Sequence, residues 1–236
     1  MNFTFQRYSG VAIRIVETQE VAATTKITRS LVEQSRLEEL LEESKPRSSP
    51  KELHYLLSTP FRYPPLRHGS RFGSCFEPSL FYGSLSLTTC LAECAYYRFL
   101  FYLDMRQPPP KPLTTQHTVF EVMVDSGLTV DLRTDRVNMS QLTHPASYEY
   151  TQGIGSRLRE AGTHILLFTS ARDPQGGSNI ALYSAEAFAE ALPRSQELWQ
   201  SQVDSQRVIF RSAASIECFD RTSFSAASGV FPRVSG

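Results

Sequence analysis

The chain has 236 residues, 41% of them hydrophobic, which is enough to build a sizeable core. Its formal net charge is zero, so it has no basic excess to neutralise a phosphate backbone, and this excludes nucleic acid as the main direct partner. Four cysteines are too few for a disulfide framework, and neither a signal-peptide pattern nor an apolar transmembrane stretch is visible. We therefore expect a globular protein of a reducing cytoplasm that contacts no membrane.

The N-terminal region is predicted to be a helical extension. VAIRIV, residues 11–16, is typical of a short strand, and apolar residues recur at helical spacing over residues 27–44. Pro46 then stops the helix, and the Ser- and Pro-rich segment at 44–51 indicates a linker. The predicted division is residues 1–50 as the extension and residues 51–225 as the main domain.

A loop, a strand and a long helix are predicted next. Residues 54–73 combine prolines, glycines and basic side chains, the composition of a loop that carries binding groups. SLFYGSLS, at 79–86, predicts a short strand, and Ser86 can cap a helix over 87–104. The prolines at 108–112 end that helix.

The second half alternates strands and helices. HTVFEVMVDSGLTVDL predicts two strands around Ser126-Gly127, and the following helix closes at Gly162. THILLFTS, IALYS, QRVIFRS and ASIECFD predict four further strands, with a brief helix in AEAFAEAL. Residues 226–236 are predicted to be a disordered tail. This mixture predicts an α+β fold, and no metal-ligand set is visible.

Three segments carry the candidate functional side chains: FRYPP with RFG, FYGSLSLTTCLAE, and ILLFTSARDPQGGSN. Together they supply arginines that can hold phosphate, aromatic rings, a carboxylate in an apolar helix and a hydroxyl at a strand end. Each residue alone also has a common structural use. Glu93 could pair with Arg98 or Arg71, and Tyr63 and Tyr82 could be packing aromatics.

The order and spacing of these segments resemble the RES-domain family, named for its arginine, glutamate and serine. The three name-giving positions match Arg71 in RFG, Glu93 in TTCLAE and Ser170 in LLFTSAR. The resemblance spans roughly residues 52–220. It also includes an arginine-aromatic pair, a tyrosine before the glutamate helix and an asparagine after a Gly-Gly turn, which are Arg62-Tyr63, Tyr82 and Asn179.

The resemblance implies both a fold and an activity. RES proteins have an ADP-ribosyltransferase-like fold, a mixed β-sheet core with surrounding helices, and act as toxins of bacterial toxin–antitoxin pairs. They consume NAD as substrate, without metal, by hydrolysis, by phosphorolysis or by transfer of ADP-ribose to a protein. The partner is a helix-turn-helix antitoxin whose C-terminal part blocks the NAD pocket, and the complex can contain a toxin homodimer. The extension at residues 1–50 departs from the smaller members of the family.

The implied roles agree with the chemistry of the side chains. Arg71 is predicted to bind phosphate with Arg62, and Glu93 to stabilise the positive charge that develops on the ribose as the nicotinamide bond breaks. Ser170 would orient the ribose or the amide, and Tyr82 would stack or pack at the nicotinamide end. Tyr63 and Asn179 complete the predicted NAD contacts.

Two other functions remain open from the sequence. A serine hydrolase could use Ser170, although no nucleophile elbow is present. A noncatalytic module could use the arginine loop to hold a phosphate or an acidic peptide.

Overall fold

The computed structural model describes residues 3–18, 53–62, 65–224 and 231–233. Within these ranges the chain forms eight strands and four helices, which confirms the predicted α+β class. The strands are β1 (Gln6–Glu17), β2 (Phe81–Ser84), β3 (Leu113–Asp131), β4 (Ile165–Thr169), β5 (Ser178–Leu182), β6 (Ser195–Val203), β7 (Arg207–Arg211) and β8 (Ile216–Asp220). The helices are α1 (Tyr55–Arg62), α2 (Leu87–Leu103), α3 (Met139–Leu142) and α4 (Glu149–Glu160), with 3-10 turns at Ala185–Ala187 and Arg221–Phe224.

All eight strands belong to one mixed sheet. Their order is β1-β2-β5-β4-β3-β6-β7-β8, and β1 also pairs with β3. The first five strands in this order therefore close into a ring, while β6, β7 and β8 extend the sheet from β3. The β3–β4 pair is parallel and the other strand pairs are antiparallel. The ring brings the ends of β4 and β5 close to α2, where the candidate site lies.

The predicted turn at Ser126-Gly127 is wrong, because β3 is one continuous strand of 19 residues. The neighbouring strand β1 pairs with β3 on both sides of this point, from His117 through Ser126 to Thr129. A register shift between Gln6 and Tyr8 of β1 takes up one extra residue of β3. Gly127 therefore accompanies a bulge, and β3 continues to its parallel pairing with β4.

The described parts of the predicted N-terminal extension and of the predicted tail both contact the main domain. The strand predicted at 11–16 is present but longer, and as β1 it belongs to the sheet rather than to a helical extension. The helix predicted at 27–44 and the linker at 44–51 lie outside the described residues, so the boundary at residue 50 stays a prediction. In the predicted tail, residues 231–233 pack on α2, since Phe231 stacks on Tyr96 with ring centroids 5.1 Å apart.

Two faces of the sheet bury separate clusters. On the first face α1 covers a cluster that includes Leu57, Phe81 and Ile180. On the second face α4 packs on a cluster that includes Phe168 and Ala181, and α2 packs beside it. Because side chains alternate along a strand, Asn179 of β5 points to the same face as Ala181. In the described ranges no helix is long and apolar enough to cross a membrane.

Candidate active site

Glu93 stands on the second turn of α2, where the sequence predicts a helix. The side chain of Ser86 caps this helix by accepting a hydrogen bond from the backbone N–H of Thr89 at 3.2 Å, as predicted. Neighbouring positions Leu91, Ala92 and Ala95 are buried in the interior. Glu93 is half-buried, so its carboxylate lies at the edge of this buried interior.

Two neutral donors hold the carboxylate of Glu93. The hydroxyl of Ser170 and the side-chain amide of Asn179 each donate to Oε1, both at 2.6 Å. Among the described residues no hydrogen bond is made to Oε2. The carboxylate is therefore fixed in orientation by one oxygen, and the other oxygen is left to bind something else.

Glu93 does not form the structural ion pair with Arg98 or Arg71 that the sequence left open. Arg98 instead donates to Glu17 at 2.5 Å and to Thr115 at 2.6 Å. Arg71 directs its nearest donors to backbone carbonyls, although its charge still interacts with that of Glu93. The negative charge of Glu93 is thus supported by hydrogen bonds, and no cationic side chain among the described residues forms a salt bridge with it.

Ser170 follows the last residue of β4, and its hydroxyl is fully engaged. It donates to Glu93 and accepts the backbone N–H groups of Arg172 at 3.1 Å and Asp173 at 2.8 Å. No histidine of the described ranges bonds to it; the ring of His144, for example, accepts from Ala146 and Ser147. This hydroxyl supports a carboxylate and lacks the base that a serine nucleophile needs.

A buried serine orients Asn179. Ser84 of β2 donates to the side-chain Oδ1 of Asn179 at 2.7 Å, and the two residues are register partners across β2 and β5. A carboxylate can only accept, so the NH₂ group must face Glu93, the amide oxygen must face Ser84, and the serine must donate. We call Glu93, Ser170, Asn179 and Ser84 the Glu93 cluster.

Arg71 is buried against the segment that links α3 and α4. Its Nη1 donates to the carbonyls of Leu142 at 3.1 Å and His144 at 3.2 Å, and its guanidinium lies 4.8 Å from the ring centroid of Tyr148. Nη2 is buried with no hydrogen-bond partner among the described residues. Burial lowers the pKa of Arg71, but a guanidinium stays charged at neutral pH.

Tyr82 packs in the core and anchors the Arg71 loop. Its ring meets Phe168 edge-on at 6.4 Å, and its hydroxyl accepts the backbone N–H of Phe72 at 3.0 Å and lies 2.9 Å from the hydroxyl of Ser70. Burial raises the pKa of Tyr82 to about 12, so the phenol stays neutral. The role predicted for Tyr82 at the nicotinamide end of NAD stays a prediction.

The other side of this loop is fixed by a glycine of α4. A Cβ atom at Gly155 would lie 1.9 Å from the carbonyl oxygen of Phe72, so no other residue allows this approach. Gly155 therefore allows the backbone next to Arg71 to pack directly against α4.

Not every predicted site residue joins the cluster. Arg62 ends α1, which packs on the first face of the sheet, and no contact among the described residues links it to the Glu93 cluster. Tyr63 lies outside the described residues. The structure thus brings Glu93, Ser170 and Asn179 into contact with Arg71 nearby, and leaves Arg62 apart.

Several polar residues near Glu93 were not among the predicted site residues. Arg172 donates to the carbonyl of Pro145 at 2.6 Å, and its guanidinium lies 3.8 Å from the ring centroid of Tyr96. The hydroxyls of Tyr97 and Tyr148 lie 3.4 Å apart. Tyr97 is four residues after Glu93 on α2 and hence on the same helix face, a signal that could have identified it.

Two buried arginines therefore converge on one segment. Arg71 and Arg172 bond three backbone carbonyls of residues 142–148 and both contact Tyr148. In the described part of the chain no group of three or more His, Cys, Asp or Glu side chains could hold a metal ion. The region around Glu93 therefore combines one supported carboxylate, two guanidiniums and several tyrosines.

Comparison with known proteins identifies the family. The model of the RES domain matches residues 46–204, more than half of the chain, so the chain belongs to the RES-domain family. No curated protein matches it. Among solved structures, the M. tuberculosis MbcT–MbcA toxin–antitoxin complex contains a similar chain, with a TM-score of 0.47 and 12% identity over 85% of this chain and 87% of that chain.

Proposed function

We propose that this protein is an NAD-consuming enzyme that cleaves the bond between nicotinamide and ribose. The observation that carries the proposal is the carboxylate of Glu93, which two neutral donors hold through Oε1 while Oε2 accepts no hydrogen bond from the described residues. Membership of the RES-domain family supports the same reaction, since the family resemblance implies NAD as the substrate.

The proposed chemistry requires a charge that is fixed before the reaction starts. Breaking the nicotinamide–ribose bond leaves positive charge on the ribose, and an oriented carboxylate stabilises that charge more in the transition state than in the ground state. Because no described residue forms a salt bridge with Glu93, its full charge is available to the ribose. The free Oε2 can accept from a ribose hydroxyl while Ser170 and Asn179 keep Oε1 in place.

Arg71 is the residue that we assign to the phosphate end of NAD. Its charge lies close enough to Glu93 for the two groups to interact, and guanidinium groups match phosphate oxygens well. One of its nitrogens already bonds the carbonyls of the 142–148 segment, so phosphate would be bound through the remaining donors. Arg62 is less suited to this role because α1 covers the opposite face of the sheet.

The acceptor of ADP-ribose defines the subtype of the enzyme. Water would make the protein an NAD glycohydrolase, inorganic phosphate an NAD phosphorylase, and a protein side chain an ADP-ribosyltransferase. Incubation of the purified protein with NAD and measurement of free nicotinamide tests the shared step. Repeating it without phosphate, with phosphate and with cell extract assigns the acceptor.

The assay also separates this proposal from the remaining alternative. Release of nicotinamide by the wild type, lost in Glu93→Gln and retained in Glu160→Gln, supports the proposal; Glu160 is an exposed carboxylate at the end of α4 and serves as the matched control. Binding of NAD without any release by the wild type would instead indicate a noncatalytic phosphate-binding module. Thermal melting of each variant shows whether it is folded.

We further propose that the enzyme is the toxin of a toxin–antitoxin pair. Unrestrained consumption of NAD would drain the cell that makes it, and a segment inserted into the pocket is an efficient inhibitor. The arginines near Glu93 favour a partner segment that offers carboxylates or a chain terminus. DNA binding would belong to a helix-turn-helix partner, since this chain has a net charge of zero.

Expression experiments test the partner independently of the chemistry. We expect expression of this chain alone to arrest growth, and co-expression of the adjacent small helix-turn-helix gene to restore it. The two proteins should co-purify, and removal of the C-terminal segment of the partner should abolish protection. Normal growth together with absence of a co-purifying partner would contradict the toxin assignment even if NAD is consumed.

A further inference from the structure

A second set of buried hydrogen bonds joins the start of α2 to the turn between β4 and β5, beside the Glu93 cluster. The hydroxyl of Thr89 donates to Oδ2 of Asp173 at 2.9 Å. Asp173 also accepts the backbone N–H of Gln175 at 2.9 Å and that of Gly177 at 3.2 Å. Thr89 is 2% exposed and Asp173 is 8% exposed, so water does not compete freely for these bonds.

The close approach of the two elements is built into the turn. A Cβ atom at Gly177 would lie 2.0 Å from the hydroxyl of Thr89 and 2.4 Å from Oδ2 of Asp173, so only glycine fits here. Gly176 has a φ of +68°, in the left-handed region that favours glycine. The two glycines therefore have separate roles: Gly176 allows the turn, and Gly177 allows the close contact with α2.

The position of this contact relates it to Glu93. Thr89 and Glu93 are four residues apart on α2 and lie on the same helix face, one turn apart. The turn that Asp173 closes begins with Ser170 and leads into Asn179 through β5. The Thr89–Asp173 bond thus fixes the helix that carries the carboxylate to the turn whose two ends carry its donors.

We propose that Thr89 and Asp173 are positioning residues for the carboxylate of Glu93. The proposal rests on the proposed function, since positioning has a kinetic consequence only if Glu93 acts on a substrate. Neither side chain bonds Glu93, and the polar atoms of both are engaged with each other and with the backbone of the turn. Loss of the bond should therefore reduce the chemical step and leave NAD binding nearly unchanged.

A pair of substitutions at Thr89 separates the hydroxyl from its volume. Thr89→Val keeps the shape and removes the donor, whereas Thr89→Ser keeps the donor. We expect Thr89→Val to lower kcat by about tenfold or more with KM within about twofold, because small displacements of a reacting group are costly, and Thr89→Ser to restore most of kcat. The matched control is Thr163→Val, which removes a buried hydroxyl without a hydrogen-bond partner among the described residues and should leave kcat unchanged.

A second variant covers the case in which Thr89→Val does not fold. Asp173→Asn keeps the size of the side chain, but in either orientation its NH₂ group faces a backbone N–H, that of Gln175 or of Gly177. We expect the same pattern, a lower kcat with a nearly constant KM. Wild-type kcat in a folded Thr89→Val protein, or an equal loss in Thr163→Val, would overturn the positioning role.

Amide hydrogen exchange distinguishes failure of this inference from failure of the proposed function. If the wild type does not consume NAD, the proposed function is wrong. Amide exchange then still measures whether the Thr89–Asp173 hydrogen bond holds the turn. In Thr89→Val the N–H groups of Gln175 and Gly177 should exchange about tenfold faster than in the wild type, because the turn has lost its tie to α2. Unchanged exchange at both amides would show that Thr89 does not hold the turn and would overturn the inference.

Discussion

Helix α2 carries two charged side chains that are stabilised differently, one by neutral hydrogen-bond donors and the other by a salt bridge. Around Glu93 the donors are a hydroxyl and an amide, and the carboxylate forms no ion pair within the described ranges. Five residues later, Arg98 bonds the carboxylate of Glu17 at 2.5 Å and the hydroxyl of Thr115, and it lies near His117. We call these four residues the Arg98 cluster. A neutralised charge can only support the fold, whereas a charge held by neutral donors can still act on a bound substrate.

The two charged residues lie on different sides of the same helix. Five residues of α-helix turn by about 140°, so Glu93 and Arg98 face different surroundings. Glu93 faces the ends of β4 and β5, and Arg98 faces β1 and β3. Whether a charged residue in an apolar helix is a candidate for function is therefore best judged by whether its partner carries the opposite charge.

The strongest test of this difference replaces the two glutamates by the same residue. Glu93→Gln should lower NAD turnover by about a hundredfold or more, because it removes the charge that stabilises the developing positive charge on the ribose. Glu17→Gln should leave turnover within about twofold, since Glu17 belongs to the Arg98 cluster. Steady-state nicotinamide release with thermal melting of both variants measures this, and equal losses would erase the distinction.

The Arg98 cluster should instead control stability in acid. Burial, with a further contribution from Arg98, lowers the pKa of His117 to about 4, and its ring lies 2.8 Å from the hydroxyl of Ser201. The unfolded chain takes up a proton near pH 6.5 and the folded chain does not, so stability is full above pH 6.5 and falls as the pH drops towards 4.

The size of this effect can be measured against a matched variant. Between pH 8 and pH 5 the contribution of His117 to the free energy of unfolding should fall by about 2 kcal/mol. Urea unfolding at both pH values should show this loss in the wild type and in His68→Gln, whose ring is exposed, and a smaller loss in His117→Gln. An identical pH dependence in all three proteins would contradict the assignment to His117.

The two predicted phosphate arginines should differ in their effect on NAD affinity. Arg71→Lys should weaken NAD binding by about tenfold, because an ammonium group cannot make the bidentate contact of a guanidinium. Arg62→Lys should leave affinity within about twofold, since α1 lies on the other face of the sheet. Calorimetric titration of NAD into each folded variant decides between them, and a larger loss in Arg62→Lys would reverse the assignment.

The smallest expected effect concerns the stability that the salt bridge supplies. The side chain of Glu17 is 65% exposed, so water screens its interaction with Arg98. Glu17→Gln should therefore lower the free energy of unfolding by about 1 kcal/mol or less. Urea denaturation at neutral pH measures it, and a loss of several kcal/mol would mean that the pair is a main support of the fold.

Local signals were sufficient to predict the elements that carry the site. Helix α2 follows from its apolar composition and from the Ser86 cap, and β4 follows from the apolar run ILLFT. The turn at Ser126-Gly127 failed because pairing with β1 overrides the preference of a Ser-Gly pair for a turn. Strand β6 was missed, since in SQELWQSQV an exposed leucine, Leu198, breaks the alternation of apolar and polar residues.

The contacts of the site depend on the tertiary structure. Ser170 and Asn179 are 77 and 86 residues from Glu93 in the chain, and only the order of the sheet brings them together. The sequence shows that these side chains exist, and the family resemblance suggests that they meet. Neither indicates that Ser170 bonds Glu93 directly, nor that Arg172 and Arg71 share the 142–148 segment.

The most direct test of the central claim is a crystal structure of the Glu93→Gln protein with intact NAD, in which the slow reaction preserves the substrate. The account predicts that a ribose hydroxyl on the nicotinamide side lies within about 3 Å of the side chain at position 93, on the atom that corresponds to Oε2. Ser170 and Asn179 should still contact the other atom of that side chain, and the phosphates should lie on the side of Arg71. NAD bound with its nicotinamide ribose away from position 93 would contradict the account.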